Sequence, residues 1–399
     1  MSAHPPPAAP SSAGPTGAAP AEARGEEFRE DLRLAAAATA RGPAAAGAGN
    51  AAARRLLSAE ELAPLTRLDD RRSLLAMGQT VGTLALAITL GVWGWAQWPG
   101  PGAAAGVAAM AVAVLVIGIA QHGLFILAHE AAHHRLLAHR GANDGVGRLI
   151  GMASGISMCT YRVIHRLHHN HLYGPQDPDT AIHGGYPRGV AYLWKKLAQD
   201  LVGWNAWKTY AYFFGAPAIA VDDGQTRRAT HGAPNDTSPA LRAAARTDRW
   251  WVAGAQLVMP VSAALAGGWQ GLALYALLWL LPLLTVLQPI LRLRAVFEHG
   301  AVDDLGSPLT AARSNRTGGG WFNAAGRVLL FPHHVNHHLE HHLYPAVPHY
   351  HLPRLHRLLR DKGVFDDPRT EVRDLADTWR RVFAPRRPRA RATAPEGLT

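Results

Sequence analysis

The 399-residue chain has a single cysteine, Cys159. That excludes an internal disulfide framework and the thiolate sets of the usual zinc and iron–sulfur sites. Charge is missing over long stretches. Between Ser73 and His134 the only formal charge is Glu130, and between Trp250 and Leu291 there is none. About 20 apolar residues cross a bilayer core ~30 Å thick, so each stretch is long enough for a hairpin of two crossings. The first 70 or so residues lack the basic-then-apolar order of a secretory leader. No nucleic-acid-binding module accompanies the net charge of +11, so no nucleic-acid partner is expected and the excess of Arg and Lys reads as a membrane-facing surface.

The spans divide as Leu74–Gln97, Ala103–Ala128, Trp250–Ala266 and Trp269–Leu291, separated by helix breakers at Trp98–Gly102 and Gly267–Gly268. The competing reading is a pair of buried hairpins in a soluble core. Against it, Trp93, Trp95, Trp98, Trp250, Trp251 and Trp269 all fall near span ends, where amphipathic rings settle at the membrane interface. Arg67, Arg71 and Arg72 precede the first span, Arg135 and Arg140 follow the second, and Arg242, Arg246, Arg249, Arg292 and Arg294 flank the second hairpin on its open side. The rule that positive charge stays inside then places both termini in the cytoplasm. The expected fold is an all-α integral membrane protein: four transmembrane helices in two hairpins, with a cytoplasmic helical cap. Residues 1–70 read as a disordered Ala/Pro-rich arm, 71–360 as the membrane domain, and 361–399 as a C-terminal segment whose basic disordered tail favours anionic headgroups.

What the chain does have is histidine in the wrong places for a surface. Of 22 histidines, 13 lie in three clusters, His129 to His134, His165 to His171 and His333 to His342. Histidine is costly near a bilayer and is the commonest protein metal ligand, so the clusters point to a polynuclear metal site. If the second span enters the core near Ala104, ~20 residues exhaust it near Leu124, and His129 emerges ~7 Å beyond the hydrocarbon. His129 and His133 share a helix face at i, i+4, while His134 sits at another angle. His299 emerges at a similar depth after the fourth span. His165, His168 and His169 converge at i, i+3 and i+4, and the adjacent pair diverges by ~100°, enough to serve two neighbouring metals. The third cluster offers two overlapping frames, His334/His337/His338 and His338/His341/His342, which spacing alone does not separate.

Nitrogen ligation without cysteine suits Zn, Cu, Fe or Ni. At least nine imidazoles are too many for one zinc and enough for two metals, and two redox metals beside a membrane point to oxygen activation. Glu130, Asp177, Asp179, Glu298 and Glu340 are placed to hold the outer ring nitrogens. His171 and His333 extend their clusters in the same supporting capacity. His122 reads as a helix–helix hydrogen bonder or part of a substrate entrance. His139, His183, His231, His349, His351 and His356 read as interface or surface residues. Trp194, Trp204 and Trp207, interleaved with Lys195, Lys196 and Lys208, read as an amphipathic helix in the interface or a wall of a substrate tunnel. Pro282 and Pro289 are expected to bend the fourth span.

At these residues the chain resembles the membrane fatty-acid desaturase and hydroxylase superfamily, of the bacterial type, over roughly Arg71 to Leu359. HEAAH at His129, HRLHH at His165 and HLEHHLYP at His338 match its three boxes in order. The continuation PAVPHYHLPRLH selects the frame His338/His341/His342. His299 in RAVFEHG is similar to the additional ligand many members carry, and the acidic pair Asp177/Asp179 to one that follows the second box. The resemblance implies a metal set of His129, His133, His165, His168, His169, His299, His338, His341 and His342, with His134 and His337 subsidiary. It also implies two non-haem irons that use O₂ and external electrons to attack an unactivated C–H bond of a lipid in the bacterial inner membrane. Acyl desaturation is the expected outcome, with hydroxylation or carotenoid ketolation as alternatives. No haem-binding segment or cysteine set is fused to the chain, so a separate ferredoxin-like electron carrier is expected, an acidic one suiting the Arg-rich face. Two rivals come from other classes. HEAAH also matches the HExxH zinc-protease motif with Glu130 as base, and a histidine-rich metal transporter would use the same residue type.

Overall fold

The structure, a computed structural model, describes residues 56–173, 177–184, 186–214, 239–302 and 309–385. The expected arm up to residue 55, His231, the side chain of His171 and the basic tail beyond residue 385 lie outside them. Among the described residues the chain is mostly helical, and its strands are a two-residue parallel pair, Asn315–Arg316 with Arg373–Asp374.

Helix α1 (Ala59–Thr66) corrects the expectation of a disordered arm through residue 70. Ser58 and Glu61 close a capping box, with Glu61 N donating to Ser58 Oγ and Ser58 N donating to the Glu61 carboxylate. Two of the first-turn N–H groups are thereby satisfied. Leu57 and Leu65 are buried in the core that also holds Leu339 and Leu343. A short amphipathic stripe was hidden by the Ala/Pro-rich composition upstream.

Helices α2 (Asp70–Ala96) and α3 (Ala103–Ala132) form the first hairpin. Their small residues let the backbones meet: a Cβ on Gly94 would come within 2.6 Å of the Gly106 carbonyl oxygen. Such close approach is the usual glue between helices in lipid, where apolar side chains gain nothing by leaving their surroundings. The outward face is apolar, Leu86 being 75% exposed.

Four longer helices follow, α4 (Arg140–Ser154), α5 (Met158–His171), α6 (Val190–Leu201) and α7 (Ala206–Phe214), with a single turn at Thr180–His183 between α5 and α6. On α6 and α7, Trp194 and Trp207 are exposed as an interfacial helix requires, but Lys196 departs from the expected polar face. It is 1% exposed, with its ammonium 5.5 Å over the Tyr192 ring.

Helix α8 (Pro239–Tyr275) holds a reversal at Gly268, whose φ of 58° and ψ of −142° are not helical. Gln256 and Trp279 both donate to the carbonyl of Ala153, at 3.3 and 3.1 Å, which a straight helix could not arrange. The stretch Ala243–Gly300 counts by length and composition as one of three able to cross a membrane, with α2 and α3. Its 58 residues would run ~87 Å if straight, far beyond a ~30 Å core, so the reversal divides it into two arms. The Trp95 and Trp269 rings lie 6.3 Å apart, so both hairpin turns are at one end.

The returning arm is irregular. A π-helical turn, Ala276–Leu280, precedes Pro282, and the helix breaks again at Thr285 before α9 (Leu287–Ala295). Proline removes a donor and crowds the preceding turn, and at Pro282 this is taken up as a π turn, whereas Pro289, also expected to bend the span, lies in the first turn of regular α9. A second π turn, Val296–Gly300, carries Glu298 and His299. Beyond it lie α10 (Trp321–Leu329), α11 (His338–Leu343), α12 (Leu352–Asp361) and α13 (Leu375–Val382). Residue 360, the expected end of the membrane domain, does not end the fold. Leu375 and Val382 of α13 are buried with Phe297 and Leu193.

Candidate metal centre

Nine histidines from α3, α5, the π turn at His299 and α11 meet in two adjoining groups. The first holds His129, His133, His165, His169 and His341, and the second His168, His299, His338 and His342. Each pair of neighbours in the sequence splits between them: His168 and His169, then His341 and His342. Adjacent helical residues diverge by ~100°, so an HxxHH run on one helix faces two points. The His169 and His342 rings stack at 4.1 Å across the boundary.

The approach is made by Nε2 atoms. His133 to His165 is 2.7 Å, His165 to His169 is 3.0 Å and His169 to His341 is 3.2 Å. In the second group His168 to His299 is 3.2 Å, His299 to His338 is 2.8 Å and His338 to His342 is 3.1 Å. Imidazoles bound to one metal at ~2.1 Å stand about 3 Å apart at right angles, so the donor set and its spacing fit a first-row metal in each group. Buried His129, with neither ring nitrogen hydrogen-bonded, fits the same requirement.

The electrostatics also favour ligation. Burial, reinforced by neighbouring histidines, holds His165, His169, His341 and His342 well below the ordinary imidazole value. His338 follows for the same first reason, with Arg294 next. Neutral imidazole is the form that binds metal. His168 is the exception: burial pushes it down, but the Asp177 and Asp179 carboxylates outweigh that and raise it.

The acidic residues behind the histidines do different things. His168 Nδ1 stands 3.0 Å from Asp177 Oδ1, and Asp177 also accepts from Tyr173 N at 2.9 Å. Asp179 lies 3.6 Å from the same nitrogen and accepts the Tyr212 hydroxyl. Glu298 is 3.6 Å from His338 Nδ1 and takes Arg294 Nε at 3.0 Å. Glu130 lies 3.5 Å from His129 Nδ1 and accepts the backbone N–H of His349 at 2.9 Å. Fully buried Glu340 turns away from the two groups to Ser314 and His356, with His337 at 3.6 Å. Burial would raise its carboxyl, but nearby His337 and the hydrogen bond from His356 hold it well below the usual range.

Other histidines fall outside the two groups. His134 turns to Asp144 at 3.1 Å, and His333, with a left-handed φ of 54°, reaches Thr80 at 2.8 Å. His334, of the first frame, stays half-buried at the side. Of the residues read as interface or surface, two prove buried, His183 and His349, and His356 is half-buried. His183 is 1% exposed and lies 4.7 Å from the His299 ring. His349 is buried and braces Glu130 through its backbone, and His356 binds Glu340. Only the nearness of His183 to the DPD run offered a local signal for any of them. His122 is fully buried within α3.

No curated protein matches the chain at a significant level. The model of one protein family, described as fatty acid desaturase, matches residues 105–371 and so takes in all three histidine clusters. With two thirds of its length matched, the chain belongs to the fatty acid desaturase family.

Proposed function

We propose that the chain is a four-span, di-iron, O₂-dependent fatty acyl desaturase. Family membership makes it an oxidoreductase of lipids in a membrane setting. The observation that carries the finer reading is the convergence of nine imidazole nitrogens into two adjoining groups. Bound there, two irons would supply the activation of O₂ needed to remove hydrogen from an unactivated C–H bond. The five-histidine group would hold one metal and the four-histidine group the other. Asp177 fixes the ring of His168 by accepting a hydrogen bond from its Nδ1–H, which leaves Nε2 free to ligate. The Tyr173 hydroxyl ties down the His299 carbonyl. The four crossings, with both termini and the histidines on the cytoplasmic face of a bacterial inner membrane, rest on the two hairpins and the one-sided arginines. Those arginines suit a separate, acidic electron carrier.

Desaturation is taken as the first reading on the family match, with hydroxylation or ketolation on the same scaffold as the alternatives that the test separates. The HExxH protease reading is disfavoured because it would leave the second group without a role. Lipid analysis of a host with and without the full chain, grown under ¹⁸O₂, is the test. A new double bond without ¹⁸O supports desaturation, and an ¹⁸O-bearing product makes it a hydroxylase. Stoichiometric zinc with full activity in the absence of iron would overturn the di-iron reading. Labelling of Gly100→Cys or Gly267→Cys from the cytoplasmic side would overturn the topology.

A further inference from the structure

Glu340 stands in sequence between two histidines of the metal centre and faces neither group. On α11 it lies ~160° around the helix from His338 and His342. Its side chain is fully buried, and the two oxygens have separate tasks. Oε2 accepts the Ser314 hydroxyl, whose oxygen in turn accepts Leu339 N at 3.1 Å. Oε1 faces two imidazoles: Nδ1 of His356 is in direct contact with it, and Nδ1 of His337 stands 3.6 Å away. One donor atom from each of His337, Glu340 and His356 lies within 4.8 Å of the others, and the two rings are 5.0 Å apart. A charged pair of His356 and Glu340 accounts for two of the three residues. It leaves His337 Nδ1 buried without a hydrogen bond and aimed at an oxygen already taken. A buried polar atom in that position is costly, and a cation among the three donors would satisfy all of them.

The donor chemistry narrows the cation. Two imidazoles and a carboxylate, with no thiolate, are a set that zinc takes with water as its fourth ligand. Donors ~2.1 Å from a tetrahedral metal stand about 3.3 Å apart. The 3.6 Å between His337 and Glu340 is close to that, and the tighter His356 contact would open slightly. The His337 and His356 side chains are 15% and 18% exposed, so solvent reaches the group and a metal can enter. The scaffold is set beforehand. His356 sits on α12 beside Leu352, Leu355 and Leu359, which share a buried core with Leu339 and Leu343 of α11. Apolar packing therefore brings the donors together before any metal arrives.

We infer that His337, Glu340 and His356 form a third, mononuclear metal site, filled by zinc, which ties α11 to α12 behind the two histidine groups. The site requires neither the di-iron nor the desaturase reading. A six-residue helix does not hold its own orientation, and α11 carries His338, His341 and His342 on its other side. Zinc bound behind it steadies those three rings.

The test uses the full chain in lipid nanodiscs, supplied with iron and zinc together, dialysed, and counted for metals by elemental analysis. About one zinc per chain is expected beside the iron, and zinc-edge X-ray absorption should show nitrogen and oxygen neighbours without sulfur. His356→Gln, and independently His337→Gln, should lose the zinc and keep the iron. Cobalt(II) offered to the iron-loaded, zinc-free chain should give the strong visible absorption of a four-coordinate site in the wild type and in neither variant. Zinc should also raise the Tm of the wild type and leave that of the variants unchanged, because only the folded chain assembles the three donors. A wild type that takes up no third metal overturns the inference. So does zinc that both variants keep, since such zinc sits on the nine other histidines. Three irons per chain, falling to two in His356→Gln, would keep the site and make iron its occupant.

Discussion

In the four-histidine group two outer ring nitrogens are held from behind, His168 by Asp177 at 3.0 Å and His299 by the Ala311 carbonyl at 3.3 Å, whereas His338 Nδ1 has Glu298 at 3.6 Å and no hydrogen bond. In the five-histidine group His129 has no hydrogen bond on either nitrogen, and His169 Nδ1 is buried without one. The backbone beneath accounts for part of the difference, since His168 shares its regular helix with His165 and His169. His129 and His133 end a 30-residue helix, and His165 and His169 lie on a 14-residue one, so regular helices aim four of the five rings. His299 instead sits on a π turn, and His338 and His342 on a six-residue helix. A helix that short does not hold itself. On the π turn a carbonyl holds His299, and on a regular helix a carboxylate holds His168.

The comparison can be broken most forcefully by removing ligands. His168→Ala or His338→Ala leaves three imidazoles in the second group, and each is expected to lose about one iron per chain together with turnover. His165→Ala leaves four in the first group and should retain more iron after dialysis while also losing turnover. Equal iron loss, read by elemental analysis, would show that donor number does not distinguish the groups.

Next in size is Asp177→Asn, which keeps the shape but not the charge behind His168. It is expected to weaken iron binding about 10- to 100-fold in chelator competition. Glu130→Gln should cost less than about tenfold, because α3 already orients His129. A larger loss in Glu130→Gln than in Asp177→Asn would reverse the account of what aims each group. The smallest effect is expected for His334→Ala: unchanged iron and a partial loss of turnover. Iron lost there, but kept in His342→Ala, would mean that the third cluster binds through its first frame.

The sequence by itself determined what depends on local order. Missing charge and well-placed Gly and Pro located the apolar arms and their turns, including the reversal at Gly268 inside one apparently continuous helix. Spacing of i, i+3 and i+4 placed histidines on common helix faces, and the 100° step already divided His168 from His169. Tertiary structure decided whatever depends on distant contacts. His341 meets His169 across 172 residues, and Glu130 meets His349 across 219. No local period encodes such pairs. The same limit concealed α1, whose few apolar residues matter only against Leu339 and Leu343, and it made His183, His349 and His356 look like surface. A histidine's spacing fixes which way it leaves its own helix; only the packing of other elements fixes what it meets there.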